Sequence, residues 1–127
     1  MNIGGVTIKV PVMNAACSIA KTWDDVKAMC ATSAGLVLIG SITTEQRDGN
    51  KEPRWFVGDD YALNSFGMPN GGYEFYSKEL PGMVDYIHTS DKVAVLSIAG
   101  FSTSEYVQLA QLADRSCVDI LELNLGC

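Results

Sequence analysis

The residues best suited to chemistry in this sequence fall in four short segments. The last of them is Ile120-Leu121-Glu122-Leu123-Asn124-Leu125-Gly126-Cys127. Apolar and polar residues alternate there with the two-residue period of a strand, so Leu121, Leu123 and Leu125 share one face and Glu122 and Asn124 the other. Burying an unpaired polar group costs about 2–7 kcal/mol by transfer scales. Glu122 and Asn124 therefore need partners, and a polar ligand is a natural one for Asn124. Cys127 ends the segment. A thiol in that place is a proton-transfer group or nucleophile where exposure and pKa allow, and otherwise a small buried apolar residue.

The other three segments supply surfaces for a flat ligand. Asn64-Ser65-Phe66-Gly67-Met68-Pro69-Asn70 carries asparagine amides beside a glycine, a pattern suited to a planar amide-rich ring, although alone it also reads as a turn and a helix cap. In Asn14-Ala15-Ala16-Cys17 the small side chains either admit a flat ligand to the backbone or pack tightly under the following helix. Gly40-Ser41-Ile42-Thr43 opens a polar connection running to Asn70. Unstructured loops longer than about 12–15 residues are uncommon in compact domains and are often functional. Within it Arg47 and Arg54 either anchor a carboxylate or are solvated, and the solvated reading is preferred.

Such segments need a scaffold that brings them to one edge. Gly35-Leu36-Val37-Leu38-Ile39 and Val93-Ala94-Val95-Leu96-Ser97-Ile98 are continuous apolar runs, as in parallel strands buried on both faces. With strands near 11–16 and 118–125, four parallel strands are expected. Val6–Val10, preceded by Gly4-Gly5, reads as an exposed strand or hairpin capping something larger. Thr22 is a candidate N-cap with Asp24 and Asp25 in the first turn, and Gly35 a candidate C-cap for that helix. Tyr73, Tyr76, Leu80, Val84 and Ile87 form an apolar stripe that Pro81 is expected to split into two helical pieces. Ser102 and Glu105 suggest a capping box opening a third helix, with Tyr106, Leu109, Ala110 and Ala113 on one face. Strands alternating with helices signal an α/β fold with right-handed crossovers. A (β/α)₈ barrel takes about 250 residues. The 127 residues here match, in length and strand count, its N-terminal half, read as a single partial domain spanning 1–127.

Composition narrows the function. The chain is 47% hydrophobic and 19% charged, enough apolar material for a packed core rather than disorder. Nine basic against fifteen acidic residues give a formal charge of −6, with no basic stripe to displace counterions from a nucleic acid. No apolar run approaches the roughly 18 residues of a membrane span, and residues 1–12 lack the features of a secretory signal. Cys17, Cys30, Cys117 and Cys127 form no Cys-x-x-Cys pair, which argues against zinc and against a disulfide framework. A cytoplasmic protein with free thiols and no metal is expected.

Five segments in order, Met13-Asn14-Ala15-Ala16, Ser41-Ile42-Thr43 with Arg47-Asp48-Gly49-Asn50-Lys51-Glu52-Pro53-Arg54, Leu63–Asn70, Ser97-Ile98-Ala99-Gly100 and Glu122–Cys127, resemble the N-terminal half of class 1 dihydroorotate dehydrogenases. The Ser-Ile-Ala-Gly segment and the asparagine loop look most like subclass 1A, the homodimeric, fumarate-using branch. The resemblance implies an FMN enzyme on a barrel. Dihydroorotate stacks on the flavin, hydride passes to it, and a cysteine base, matched here by Cys127, removes the adjacent proton to give orotate. Asn64 and Asn124 match asparagines that hold the pyrimidine ring, while Phe66, Gly67 and Met68 match a loop adding contacts. Ala15, Ala16 and Ser41 match flavin contacts, and Asn124 is grouped with them as well.

Two positions depart from that pattern. Gly40 stands where the family has a lysine contacting flavin and substrate carboxylate, and Gly126 where it has serine before the cysteine. The Asn-x-Gly-Cys sequence is also similar to dihydrouridine synthases, whose other N-terminal signature is missing here. Half a barrel lacks the phosphate cradle found after strands seven and eight. It also leaves sheet edges and an apolar inner face unpaired, so a homodimer or completion by a C-terminal half is expected. A non-catalytic half-barrel interaction or scaffold protein is the alternative of a different class.

Overall fold

The computed structural model describes residues 1–17 and 20–126. The chain opens on a hairpin, β1 (Asn2–Ile3) and β2 (Val6–Thr7), paired antiparallel. Gly4 and Gly5 form its two-residue turn with φ of 57° and 92°, the left-handed pair such a tight reversal needs. The strand pair thus lies earlier than Val6–Val10. Ile8 follows it into the interior, only 1% exposed.

Three strands form the parallel sheet: β3 (Leu36–Ile42), β6 (Val93–Ile98) and β7 (Ile120–Leu123), in the order β3-β6-β7. Each neighbouring pair is joined by a helical crossover, as parallel pairing requires. Helix α1 (Trp23–Cys30) precedes β3, α2 (Gly72–Thr89) links β3 to β6, and α3 (Thr103–Arg115) links β6 to β7. The architecture is α/β, that of part of a (β/α)₈ barrel. Val37, Ile39, Leu96 and Ile98 point to the helices and pack on Val26, Tyr76, Leu80, Met83 and Leu109. Leu36, Leu38 and Val95 point the opposite way and pack with Ile8 and Ile120. That second face is the barrel's inner side, plugged at its lower end by Ile8.

Several expectations need correction. Residues 11–16 are not a strand. The Val12 carbonyl accepts from the Gly35 amide at 3.0 Å, and the Asn14 side chain takes over from backbone pairing. Its Nδ2 donates to the Leu38 carbonyl at 2.8 Å and its Oδ1 accepts from the Leu38 amide at 3.0 Å. Pro11 has no N–H to give a ladder, and a side-chain amide can imitate one. Gly35 is not a helix cap, because α1 ends at Cys30 with Ala31 as its C-cap. Glycine is needed at 35 for a different reason: a Cβ there would meet the Val10 carbonyl oxygen at 2.1 Å.

Pro81 does not split α2, which runs unbroken through it. The missing hydrogen bond falls on the exposed side, while Tyr76, Leu80, Met83, Val84 and Ile87 stay fully buried on the other and hold the helix straight against the sheet. The capping box of α3 is half formed. The Ser102 hydroxyl accepts from the Glu105 amide, but the Glu105 carboxylate reaches the Phe101 amide (3.1 Å) and the Thr44 hydroxyl (3.0 Å) instead. The connection from Thr43 to Asn70 is not a plain loop. It contains the hairpin β4 (Trp55–Val57) and β5 (Ala62–Asn64), and a bridge between Arg47 and Asn70 ties its ends. No helix among the described residues is long and apolar enough to cross a membrane.

Candidate functional site

The parallel strands end at one rim, and the sheet is irregular there. The β3–β6 register shifts between Ile39 and Ile42. A shift of this kind turns a side chain to the other face. Ile39 and Ile42 both remain in the helix-side core, whereas the Ser41 hydroxyl lies 2.8 Å from that of Ser97 on the inner side. Asn124, just past the end of β7, donates from Nδ2 to the Ser41 hydroxyl at 2.9 Å. The chain of Ser97, Ser41 and Asn124 crosses all three strands at their C-terminal ends. Each hydroxyl is satisfied, so this buried polar row is stable in an apolar sheet. Asn124 is also fixed through its backbone, its amide donating to the Ile98 carbonyl at 2.9 Å and its carbonyl accepting from the Tyr106 hydroxyl at 2.5 Å.

The long connection folds back over this row. Its anchor is Asn70, 8% exposed, whose side chain makes four hydrogen bonds. Oδ1 accepts from the Thr43 amide (3.1 Å) and the Gly72 amide (3.0 Å), and Nδ2 donates to the Thr43 hydroxyl (2.9 Å) and the Met68 carbonyl (3.0 Å). Gly67 and Met68 before it have φ of 73° and 53°. At Gly67 a Cβ would meet the Asn50 side chain at 2.7 Å, so the sharp bend there requires glycine. Phe66 stacks on Trp55, with ring centroids 5.8 Å apart and planes 21° from parallel.

Sheet rim and loop line an open cavity of about 900 Å³. Ala16, Ser41 and Asn124 form its sheet side, and Asn64, Phe66, Gly67 and Met68 its loop side. Seven of the residues singled out in the sequence thus come together around one hollow. Ala15 does not: it is exposed and does not line the cavity. Cys127 lies outside the described residues. Glu122 shares the inner parity of Ile120 and Asn124 but does not line the cavity, while Leu121, Leu123 and Leu125 face outward and are exposed. The Asn64 side chain has no hydrogen-bond partner among the described residues, which leaves its donors and acceptor for a ligand.

Six further lining residues were not singled out as site residues: Cys17, Lys21, Arg47, Trp55, Ser65 and Pro69. Arg47 and Arg54 are not simply solvated. Arg47 Nε donates to the Gly67 carbonyl (3.1 Å) and Arg54 Nη1 to the Asp48 carbonyl (3.1 Å), so both brace the loop. Lys21 is 9% exposed, and burial pushes its ammonium pKa down, against the opposing pull of Cys17 and Asp25. Burial alone would raise the Asp25 carboxyl. Hydrogen bonds from the side chain and amide of Thr22 and the amide of Lys21, with the charge of Lys21, hold it below its ordinary value. Burial, and then the charge of Asp25, pushes the Tyr76 phenol up, so it stays a neutral donor to the Lys21 carbonyl (3.1 Å). Cys17, Cys30 and Cys117 are free thiols, and no metal-binding cluster occurs among the described residues.

The loop's dependence on Asn70 gives a stability expectation. Asn70→Ala leaves the buried Thr43 and Gly72 amides unpaired, at about 2–4 kcal/mol in total. A urea titration of the full-length protein should show the midpoint falling accordingly. An unchanged midpoint would mean the loop is held by its other contacts.

The cavity is of a size to take planar ligands. Its volume lies at the upper end of ordinary ligand pockets, which span about 300–1,000 Å³, and leaves room for two stacked planar rings. Small Ala16 and Ser41 allow close approach on one side, and the Asn64 carboxamide offers donors and an acceptor on the other. A family model for dihydroorotate dehydrogenase matches residues 1–127. A dihydroorotate dehydrogenase (fumarate) of Trypanosoma cruzi (strain CL Brener) is 41% identical over 121 residues, covering 92% of this chain and 37% of the relative. The protein of the same description from Trypanosoma brucei brucei (strain 927/4 GUTat10.1) is 37% identical over 130 residues, covering 100% and 41%. A dihydroorotate dehydrogenase B (NAD(+)), catalytic subunit, of Thermoanaerobacter sp. (strain X514) is 30% identical over 128 residues, covering 100% and 41%. The chain spans about two fifths of the length of these relatives.

Proposed function

This chain belongs to the dihydroorotate dehydrogenase family, and from that premise we propose that the protein oxidises dihydroorotate to orotate, a step of pyrimidine biosynthesis, with FMN as cofactor. The observation that carries the reading is the convergence of the Asn64 and Asn124 carboxamides on one cavity beside Ser41. A dihydropyrimidine ring presents alternating N–H and C=O groups, and a carboxamide offers one donor and one acceptor face to such an edge.

On this reading Asn64 and Asn124 hold the ring, Phe66 closes the loop side, and the backbone at Gly67 and Met68 adds contacts. Ala16, Ser41 and Asn124 line the flavin's place, with Ala15 adjacent. FMN, when bound, supplies a hydride acceptor. The substrate loses one hydride and one proton, and Cys127 is the base that takes the proton. The row of Ser97, Ser41 and Asn124 keeps the ring plane fixed while this occurs, which is the positioning role a rigid polar row can play. The relatives described with fumarate are the more similar of those compared, at 41% and 37% against 30%, which favours fumarate as the final acceptor. A cytoplasmic homodimer completes the reading. The exposed Phe56, Val57 and Leu63 of the β4–β5 hairpin offer an apolar surface for a second copy.

The test is spectroscopic. Dihydroorotate added anaerobically to the full-length, FMN-loaded protein should bleach the flavin absorbance, and fumarate should restore it. A spectrum that dihydroorotate leaves unchanged would overturn the assignment.

A further inference from the structure

The cavity has a charge character opposite to that of the molecule. The chain carries a formal charge of −6, yet Lys21 and Arg47 line the cavity and, among the described residues, no carboxylate does. The two cations are not equivalent. Arg47 donates from Nε to the Gly67 carbonyl and its guanidinium lies 5.4 Å from the Phe101 ring centroid, beside Glu45 and Glu105 in a neighbouring hollow. Lys21 has no ion pair among the described residues. Its Nζ makes one hydrogen bond, to the Pro69 carbonyl at 2.7 Å, and an ammonium has three donors.

The backbone of Lys21 is fixed on both sides. Its amide donates to the Asp25 carboxylate at 3.1 Å and its carbonyl accepts from the Tyr76 hydroxyl. The Gly40 amide donates to the Ala20 carbonyl at 3.0 Å, so Lys21 is delivered to the C-terminal end of β3. In this chain the strand furnishes no cation there, because position 40 is glycine. Gly40 has φ of 117°, and a Cβ on it would meet the Ser97 carbonyl oxygen at 2.4 Å. A nearly buried ammonium with spare donors, balanced only in part by the charge of Asp25 and facing a cavity that no described carboxylate lines, gains from an anion bound there.

We propose that Lys21 is the anion-holding residue of the cavity and receives the carboxylate of the planar, amide-bearing acid bound between Asn64 and Asn124. The inference rests on the reading of the site as a dihydroorotate site and names the residue that selects an acid over its uncharged ring. Lys21 thereby sets specificity: the amides recognise the ring, and the ammonium recognises the substituent.

The experiment compares orotate with uracil, the same kind of ring without the carboxylate, by titration calorimetry on the full-length, FMN-loaded protein. Lys21→Met should weaken orotate binding about 10- to 100-fold, the usual scale for losing a charge-assisted hydrogen bond. Uracil affinity should stay within about twofold, and Lys21→Arg should recover most of the orotate affinity. Unchanged orotate binding in Lys21→Met, or equal losses for orotate and uracil, would overturn the assignment of Lys21 while leaving the dihydroorotate reading intact. Failure of the unsubstituted protein to bind orotate at all would overturn that reading and the inference with it. Should Lys21→Met not fold, the unsubstituted protein still decides the matter, since equal affinity for orotate and uracil contradicts an anion-holding lysine.

Discussion

Replacing Cys127 by serine in the full-length, FMN-loaded protein is expected to slow anaerobic flavin reduction by dihydroorotate about 10²- to 10⁴-fold, the range a positioned general base contributes. A thiol of ordinary pKa near 8.5 is a few per cent thiolate at neutral pH, whereas a serine hydroxyl does not ionise there. The chain leading to this residue is steered firmly. Tyr106 and Ile98 pin the backbone of Asn124, and the Gly126 amide donates to the Asn124 Oδ1 at 3.1 Å. Serine is close to cysteine in size, so orotate affinity should hardly change while the rate falls. Stopped-flow reduction alongside an orotate titration separates the two quantities. An equal reduction rate in Cys127→Ser removes the thiol from the base role.

Asn124→Ala is expected to lower kcat/KM for dihydroorotate by about 100-fold, because a site built to hydrogen-bond a ring loses more than one bond when its carboxamide goes. The side chain faces the cavity and also ties Ser41 to the end of β7. Its removal therefore takes away a contact to the ring and loosens the row that lies under the flavin's place. Part of the loss should appear as weaker FMN retention, which absorbance after gel filtration measures. Asn64→Ala serves as the comparison, since Asn64 contacts the cavity without supporting Ser41. It should lower substrate affinity and leave flavin retention unchanged. Equal flavin loss in both variants would deny Asn124 its double role.

How much of this site the sequence reveals depends on the range of the forces involved. The strands at 36–42, 93–98 and 120–123 were legible because continuous apolar runs and period-two alternation are local signals. The inward parity of Asn124 followed from the same alternation. The segment 11–16 misleads because its pairing with β3 runs through the Asn14 side chain, a choice that depends on residues 24 positions away. Pro81 misleads in the other direction: local propensity argues for a break, and tertiary burial of Tyr76, Leu80, Val84 and Ile87 overrides it. Ser41 reaches the inner face through a register shift that no local pattern announces.

Lys21 shows a further limit. In the sequence it is a lone lysine before a capping threonine, indistinguishable from a solvated one. Only the fold reveals that Tyr76, Asp25 and the Gly40–Ala20 contact hold it at the cavity. The glycine at 40 was visible as the place where a cation is missing. What replaces it required three-dimensional proximity.

The central claim is that two carboxamides grip one planar ring beside a flavin. A crystal structure of the full-length, FMN-loaded protein with orotate tests it most directly. The expected result places the pyrimidine ring within hydrogen-bond distance of both Asn64 and Asn124 and stacked on the isoalloxazine. Orotate bound away from either side chain, or bound without contact to the flavin, would contradict it.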